Sequence, residues 1–370
     1  MKPTAVPKAN RTVMRPARVQ ANPAAIWLRS SQHAATGVAL SAAAFVLLAA
    51  LFFAAIGRNP FEMMLAILDS SVGSVFALGE SLLRATPILL CALATLVPAR
   101  VGLISVGAEG QLYFGALTGT AVVLAFPGAP ALLLLPAMLL GGAAGGAAWA
   151  LIPAALRVAA HVNETISTLL LNYVAALLVT WLVYGPWKNP QSQGWPATID
   201  FPAAAQLPVL SDSRVHAGLV LALVLAIVLH WLFTGTRWGL VLDVLRSNPR
   251  AGRAAGLSLP RQVLLTMLIG GAIAGLAGIA ETSAVQGRLQ ADLSNGAGLS
   301  GFLVAWLSRN HVLRAIALSL IIGALMAAGD GLQMNAGVPS SATLVVQGLL
   351  FVAVLGVGGW RAQRAGAGHV

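Results

Sequence analysis

The sequence is poor in charge and nearly devoid of cysteine. Only 9% of its 370 residues are Asp, Glu, Lys or Arg, against about 25% in ordinary soluble domains. The single cysteine, Cys91, lies inside an apolar run, which excludes a disulfide framework and a cysteine-ligated metal site. None of the three lysines, Lys2, Lys8 and Lys188, follows a glycine. A phosphate-binding loop of the Gly-Lys-Ser/Thr kind is therefore absent, and the chain is not expected to hydrolyse ATP itself. It also has no His-Glu-x-x-His run and no Gly-x-Ser-x-Gly elbow, which argues against an intramembrane hydrolase.

What the chain has instead is apolar mass: 58% hydrophobic residues together with 39 glycines. A soluble fold of this length cannot hide so much apolar surface. The composition excludes cytosolic enzymes, nucleic-acid-binding domains and secreted disulfide scaffolds, and leaves lipid as the solvent. Runs long enough to cross about 30 Å of hydrocarbon are Ala35–Ile56, Leu82–Val97, Ala129–Leu156, Ile166–Tyr184, Ala217–Phe233, Val263–Ile279, Ala315–Ala328 and Ala342–Val357. Val106–Phe126 and Leu299–Leu307 are shorter or glycine-broken. The expected fold is an all-α polytopic bundle of about ten crossings.

The net charge of +11 reports topology rather than affinity for nucleic acid. With the N-terminus inside, 17 of the 22 basic residues fall on the inner side, leaving Arg58, Arg84, Lys188, Arg214 and Arg288 outside. Both termini are therefore expected in the cytoplasm. The organisation expected is a basic tail over 1–34, a transmembrane domain over 35–359 with its largest inner loop at 235–262, and a short tail over 360–370. Pro3, Pro7, Pro16 and Pro23 are expected to break any helix in the first tail.

Glycine pairs at spacing four, Gly141/Gly145, Gly142/Gly146 and Gly271/Gly275, predict close helix contacts. Pro87, Pro136 and Pro153 fall within apolar runs, where they would kink or thin a helix. Trp181, Tyr184, Trp187 and Trp195 cluster near one span end, as an interfacial belt or a stacking surface.

Polar groups at membrane depth are expensive and must be paired, interfacial or turned to a cavity. Glu109, in Gly107-Ala108-Glu109-Gly110-Gln111, reads either as an acid favoured at a helix N-terminus or as a gating group. Glu164 follows Asn163 at a span start, where capping is expected. Glu281 and Asp330 end spans, with a solvated interfacial position as the default. Asn172 lies inside an apolar helix near Ser167 and Thr168, and wants either another helix or a ligand. Glu109, Gln111, Asn163, Glu164 and Asn172 are the candidate pathway residues.

The inner loop carries five arginines against Asp243. Ser247 or Asn248 can cap a short helix with Pro249 in its first position. Ala251, Gly252, Ala254, Ala255 and Gly256 then form a small-residue face beside Arg250 and Arg253, suited to anionic lipid or to a docking partner.

At this loop the chain resembles permease subunits of ATP-binding-cassette importers, in the branch that handles branched-chain amino acids, simple sugars and nucleosides. The matching segments are Val106–Leu112, Asn163–Tyr173, Ser247–Gly256, and Gly298–Phe302 through Gln347–Leu349, so the likeness covers roughly 82–355. The Gly-Ala-Glu-Gly-Gln and Asn-Glu-x-Ile-Ser-Thr pair is most similar to the nucleoside and simple-sugar subgroup. A departure is Leu303 and Trp306, where the family often has smaller residues.

The resemblance implies a cytoplasmic (inner) membrane complex of a bacterium. It would contain an ATP-binding subunit that holds ATP and magnesium, an extracytoplasmic solute-binding lipoprotein, and a second, related permease chain forming a heterodimer. It makes Asn248, Pro249, Arg250, Arg253 and Gly256 the coupling element, and leaves this chain without catalytic residue, metal or cofactor. A nucleoside is the expected cargo, with a ribose-like sugar or a branched-chain amino acid as alternative. A secondary transporter would need midplane carboxylates and often shows inverted repeats.

Overall fold

In lipid, each backbone N–H and C=O must be satisfied by the protein itself, so span-length apolar runs become helices. A computed structural model describes residues 23–192, 195–210, 214–339 and 341–366. The described residues hold thirteen α-helices and no strand beyond isolated bridges. Eight helices contain stretches long and apolar enough to cross a membrane: α1 (Pro23–Ala55), α3 (Val75–Ala99), α5 (Ala131–Ala160), α6 (Glu164–Tyr184), α7 (Ala217–Gly235), α10 (Leu259–Glu281), α12 (Val312–Ala336) and α13 (Ser341–Gly366). Two more, α4 (Ala108–Ala125) and α11 (Ala297–Leu307), coincide with the glycine-broken runs. The rest are α2 (Pro60–Val72), α8 (Arg237–Ser247) and α9 (Pro249–Ala254).

The chain departs from expectation at several ends. Pro23 does not break a helix but opens α1, since its fixed φ suits a first turn. The tail up to residue 22 lies outside the described residues. Pro87, Pro136 and Pro153 sit inside continuous helices. The C-terminal helix runs past residue 360, and Arg364 stacks over Trp360 at 3.9 Å. Helix α2, absent from the sequence reading, is opened by the Asn59 side chain, which accepts from Phe61 N at 3.1 Å.

The bundle is built around α3 and α10. The apolar window of α3 is 83% buried, against 28% for α5, which makes α3 an internal span. Helix α10 packs against α3, α4 and α5. The glycine pairs explain how: Gly142 and Gly146 of α5 face Gly271 and Gly275 of α10, and a Cβ at Gly146 would overlap the Gly271 carbonyl. The neighbouring pair, Gly141 and Gly145, faces α4 instead, where Thr118 Oγ1 donates to Gly141 O at 2.9 Å. One helix thus meets two partners through two glycine pairs offset by a residue.

Candidate functional site

Between α3 and α4 the chain is non-helical over 101–107. Bare backbone of this kind is untenable inside a membrane protein unless neighbours satisfy it. Helix α6 does so with side chains spaced four apart on one face, Glu164, Thr168 and Asn172. Glu164 Oε1 accepts from Ile104 N at 3.3 Å, and Thr165 Oγ1 donates to Ile104 O at 2.8 Å. Thr168 Oγ1 accepts from Val106 N at 3.1 Å. Asn172 Nδ2 donates to Val106 O at 2.8 Å, and its Oδ1 accepts from Gly110 N at 2.8 Å. Gly110 permits the approach, since a Cβ there would stand 2.9 Å from Asn172 Cα.

Asn172 is eight residues into α6, so about 12 Å from its start at 1.5 Å per residue. The first turn of α4 lies at that level, inside the bundle. Asn163 caps α6, its Oδ1 accepting from Thr165 N at 2.9 Å and Ile166 N at 3.3 Å. Glu164 is mostly buried and also pairs with Arg157 at 3.3 Å.

Glu109 sits in the first turn of α4, yet its carboxylate serves α11. It accepts from Leu299 N at 3.2 Å and from the Ser294 hydroxyl. The first N–H groups of a helix have no internal partner and carry partial positive charge, so a carboxylate there is favoured. Gly298 lies directly against Glu109. Two helices therefore begin inside the bundle and meet at one carboxylate. With 11 residues, α11 is only about 16 Å long. Gln111 is buried on α4.

Cavities lie at both ends of α11. At its N-terminal end, a cavity of about 250 Å³ is lined by Glu80, Arg84, Arg214, Glu281, Gln286 and Asn295, with Ala297 among its other walls. Along the C-terminal half, a groove of about 510 Å³ includes Leu103, Ser105, Phe302, Trp306, Arg246 and Arg309. Trp306, the departure noted in the sequence, is half exposed at this groove.

Glu281 does end its helix, where it is partly exposed and lines the first of these cavities. Asp330 is inside α12 rather than at its end, paired with Arg84 at 2.7 Å. Glu80 pairs with Arg214 at 3.0 Å. Sequence reasoning passed over this cluster, although Glu80 and Arg84, four apart at the start of an apolar helix, were its signal.

The segment after α7 folds as expected at Asn248, whose Oδ1 accepts from Ala251 N at 3.0 Å with Pro249 opening α9. Gly252 turns inward onto Leu245, while Arg250, Ala251, Arg253, Ala254 and Ala255 are exposed. Gly256 ends the turn at φ +79°, a left-handed conformation that glycine adopts without strain. The unanticipated helix α8 ties α9 to the bundle. Asp243 pairs at 3.1 Å with Arg100, which caps the end of α3, and Arg100 lies 4.5 Å over the Phe233 ring of α7. Trp238 Nε1 donates to Gln262 Oε1 of α10 at 2.9 Å.

At the opposite end, Trp181, Tyr184 and Trp195 are exposed and Trp187 packs on the core. His216 begins α7, buried, with Nδ1 accepting from Gly218 N at 3.1 Å and Nε2 unpartnered. Burial lowers its pKa to about 4.

Comparison with known proteins places these features. A family profile described as the permease component of branched-chain amino acid transport systems matches residues 77–355. A glucose ABC transporter permease of Haloferax volcanii is 36% identical over 80% of this chain and 81% of its own. A guanosine ABC transporter permease of Bacillus subtilis is 29% identical, covering 85% of this chain and 89% of its own. A nucleoside ABC transporter permease of Lactococcus lactis is also 29% identical, over 83% and 87%.

Proposed function

The chain belongs to the permease family of branched-chain amino acid transport systems, and on that premise we propose that its cargo is a nucleoside. It is the membrane-spanning permease of an ATP-binding-cassette importer and a multi-pass protein of the cytoplasmic membrane. Such a permease associates with an ATP-binding subunit and a substrate-binding protein. Support for the nucleoside comes from the guanosine and nucleoside permeases that share most of its length. Likeness to a glucose permease makes a simple sugar the second reading.

The observation that carries the transport mechanism is the meeting of α4 and α11 at Glu109 between two cavities. Discontinuous helices at membrane depth are tolerated where protein or a water-filled path satisfies them, and transporters place solute sites there. In our proposal the end bearing α8 and α9 faces the cytoplasm, because it gathers Arg157, Arg246, Arg250 and Arg253. ATP binding draws the ATPase subunits together and moves α9. The Arg100–Asp243 and Trp238–Gln262 contacts then pass that motion through α8 to α3 and α10. Alternating access follows as populations shift between outward and inward cavities.

The same proposal assigns ATP and magnesium to the partner, leaving this chain without an ATPase site. A second, related permease chain completes the membrane channel, and the binding protein is a lipoprotein. ATP-dependent uptake in vesicles reconstituted with the whole complex tests this against guanosine, uridine, D-glucose, D-ribose and L-leucine. Uridine and guanosine should accumulate only with ATP inside the ATPase-facing compartment. Accumulation of leucine alone, or uptake without the ATPase subunit, refutes it.

A further inference from the structure

Resting on that import reading, we propose that the cavity at the N-terminal end of α11 is a solute-binding site, and that the group it takes is a vicinal diol. Ribosides and aldoses share this group.

Four ionisable side chains from three elements converge on the cavity: Glu80 and Arg84 from α3, Arg214 from the segment before α7, and Glu281 from the end of α10. Three of them are engaged, Arg214 with Glu80 at 3.0 Å and Arg84 with Asp330 at 2.7 Å. Glu281 is the exception. It makes no hydrogen bond or ion pair among the described residues, although Arg84 and Arg214 are close enough to act on its charge. A carboxylate partly buried at the end of a span is unfavourable unless something polar meets it. Glu281 thus brings carboxylate oxygens with no protein donor among the described residues to the cavity wall.

The rest of the wall completes a recognition surface. Gln286 and Asn295 contribute amides that both donate and accept. Residues Thr282–Gln286 form a π-helical turn immediately after Glu281, a rare geometry found mostly at functional sites. Leu83, Pro87 and Met326 offer an apolar face for a carbon skeleton. Ser294, which touches Glu109, forms part of the lining, so the cavity adjoins the junction of α4 and α11.

The chemistry that fits is neutral and rich in hydroxyls. Arg84 and Arg214 are already paired with Asp330 and Glu80, so neither guanidinium is free to select an anion, and Glu281 is left to meet hydrogen-bond donors. A carboxylate with two open oxygens accepts from two adjacent hydroxyls at once, and charge-assisted bonds of this kind are the stronger ones. The volume of about 250 Å³ equals roughly eight waters at 30 Å³ each, the scale of one sugar ring.

The test uses the complete importer in proteoliposomes, with the same binding protein throughout, comparing wild type with Glu281→Gln. Radiolabelled uridine and 2′-deoxyuridine form the riboside arm; methyl α-D-glucoside and its 3-deoxy derivative, which has no two adjacent hydroxyls, form the sugar arm. Because the binding protein is common to both permeases, a change in the diol-to-deoxy uptake ratio belongs to the permease. Glu281→Gln should lower uptake of the diol about tenfold, as expected for loss of a charged hydrogen bond. Uptake of the deoxy analogue should hardly change, and ATPase stimulation by the loaded binding protein should persist. An unchanged ratio overturns the proposal, as does an equal fall in both solutes. An equal fall with weakened capture of the binding protein would make the cavity a docking point for that protein instead. Should Glu281→Gln not assemble, Gln286→Leu decides by the same ratio. A wild type that takes up only leucine fails the import reading itself, independently of the variants.

Discussion

Replacing Asn172 by Leu separates its two possible roles, ligand contact and helix junction. The substitution keeps the branched shape and heavy-atom count and removes both hydrogen bonds, to Val106 O and Gly110 N, each 2.8 Å long. Gly110 N–H belongs to the first turn of α4 and has no partner within its own helix. Val106 O lies in the non-helical stretch, equally without a helical partner. Each orphaned group costs about 1–3 kcal/mol in a protein interior, while polar contacts measured between membrane helices average nearer 0.6 kcal/mol. The sum is about 2 kcal/mol, or a fall of about 3 °C in melting temperature for a chain of this size. Thermal unfolding of the purified complex in detergent reads it directly. Tyr173→Leu, on the exposed side of the same helix, should not shift the melt. An Asn172→Leu protein that melts like wild type while losing uptake would refute the assignment and make Asn172 a contact for the solute.

Further outcomes follow from packing and burial. Gly146→Leu drives a side chain into the Gly271 carbonyl and Gly275 backbone; overpacking costs about 1–3 kcal/mol where side chains can give way and more against backbone. The variant should lose its monodisperse peak in size-exclusion chromatography. His216 is held near a pKa of about 4 by burial, against 6.5 for an ordinary histidine. Between those values the unfolded chain binds the extra proton, so stability is complete above pH 6.5 and declines as pH falls toward 4. The loss approaches about 3 kcal/mol. Melting curves at pH 7.5 and 5 should separate for wild type by more than for His216→Gln.

The sequence declared its spans because lipid forces a simple match between apolar length and helix. Asn248 was legible as a cap, since capping is local chemistry within three residues; at the start of α6 the capping role expected of Glu164 falls to its neighbour Asn163. The glycine pairs announced close approach, but nothing in their spacing told which helix each pair would meet. The interior start of α4 was hidden for a different reason. Gly107 marks a break, but the partners of residues 104–110 come from α6, some sixty positions later. Glu164, Thr168 and Asn172 could be seen as one face only after that pairing was known. Helix α8 was missed because Arg237–Ser247 mixes charge with apolar residues, and its anchors, Arg100 and Gln262, belong to other helices. The charged cavity escaped notice because Arg84 and Arg214 were weighed as topology signals rather than as partners of Glu80 and Asp330.

At the centre of the account is α9 as the handle that a cytoplasmic ATPase grips. Its exposed arginines can be reversed without disturbing the Asn248 cap or the Gly252 contact that fold it. Uptake by proteoliposomes carrying Arg250→Glu together with Arg253→Glu, in a permease verified as inserted and monodisperse, is the direct measurement. Loss of ATP-driven solute accumulation, with the ATPase subunit no longer co-purifying, is the predicted result. Accumulation at the wild-type rate would contradict it.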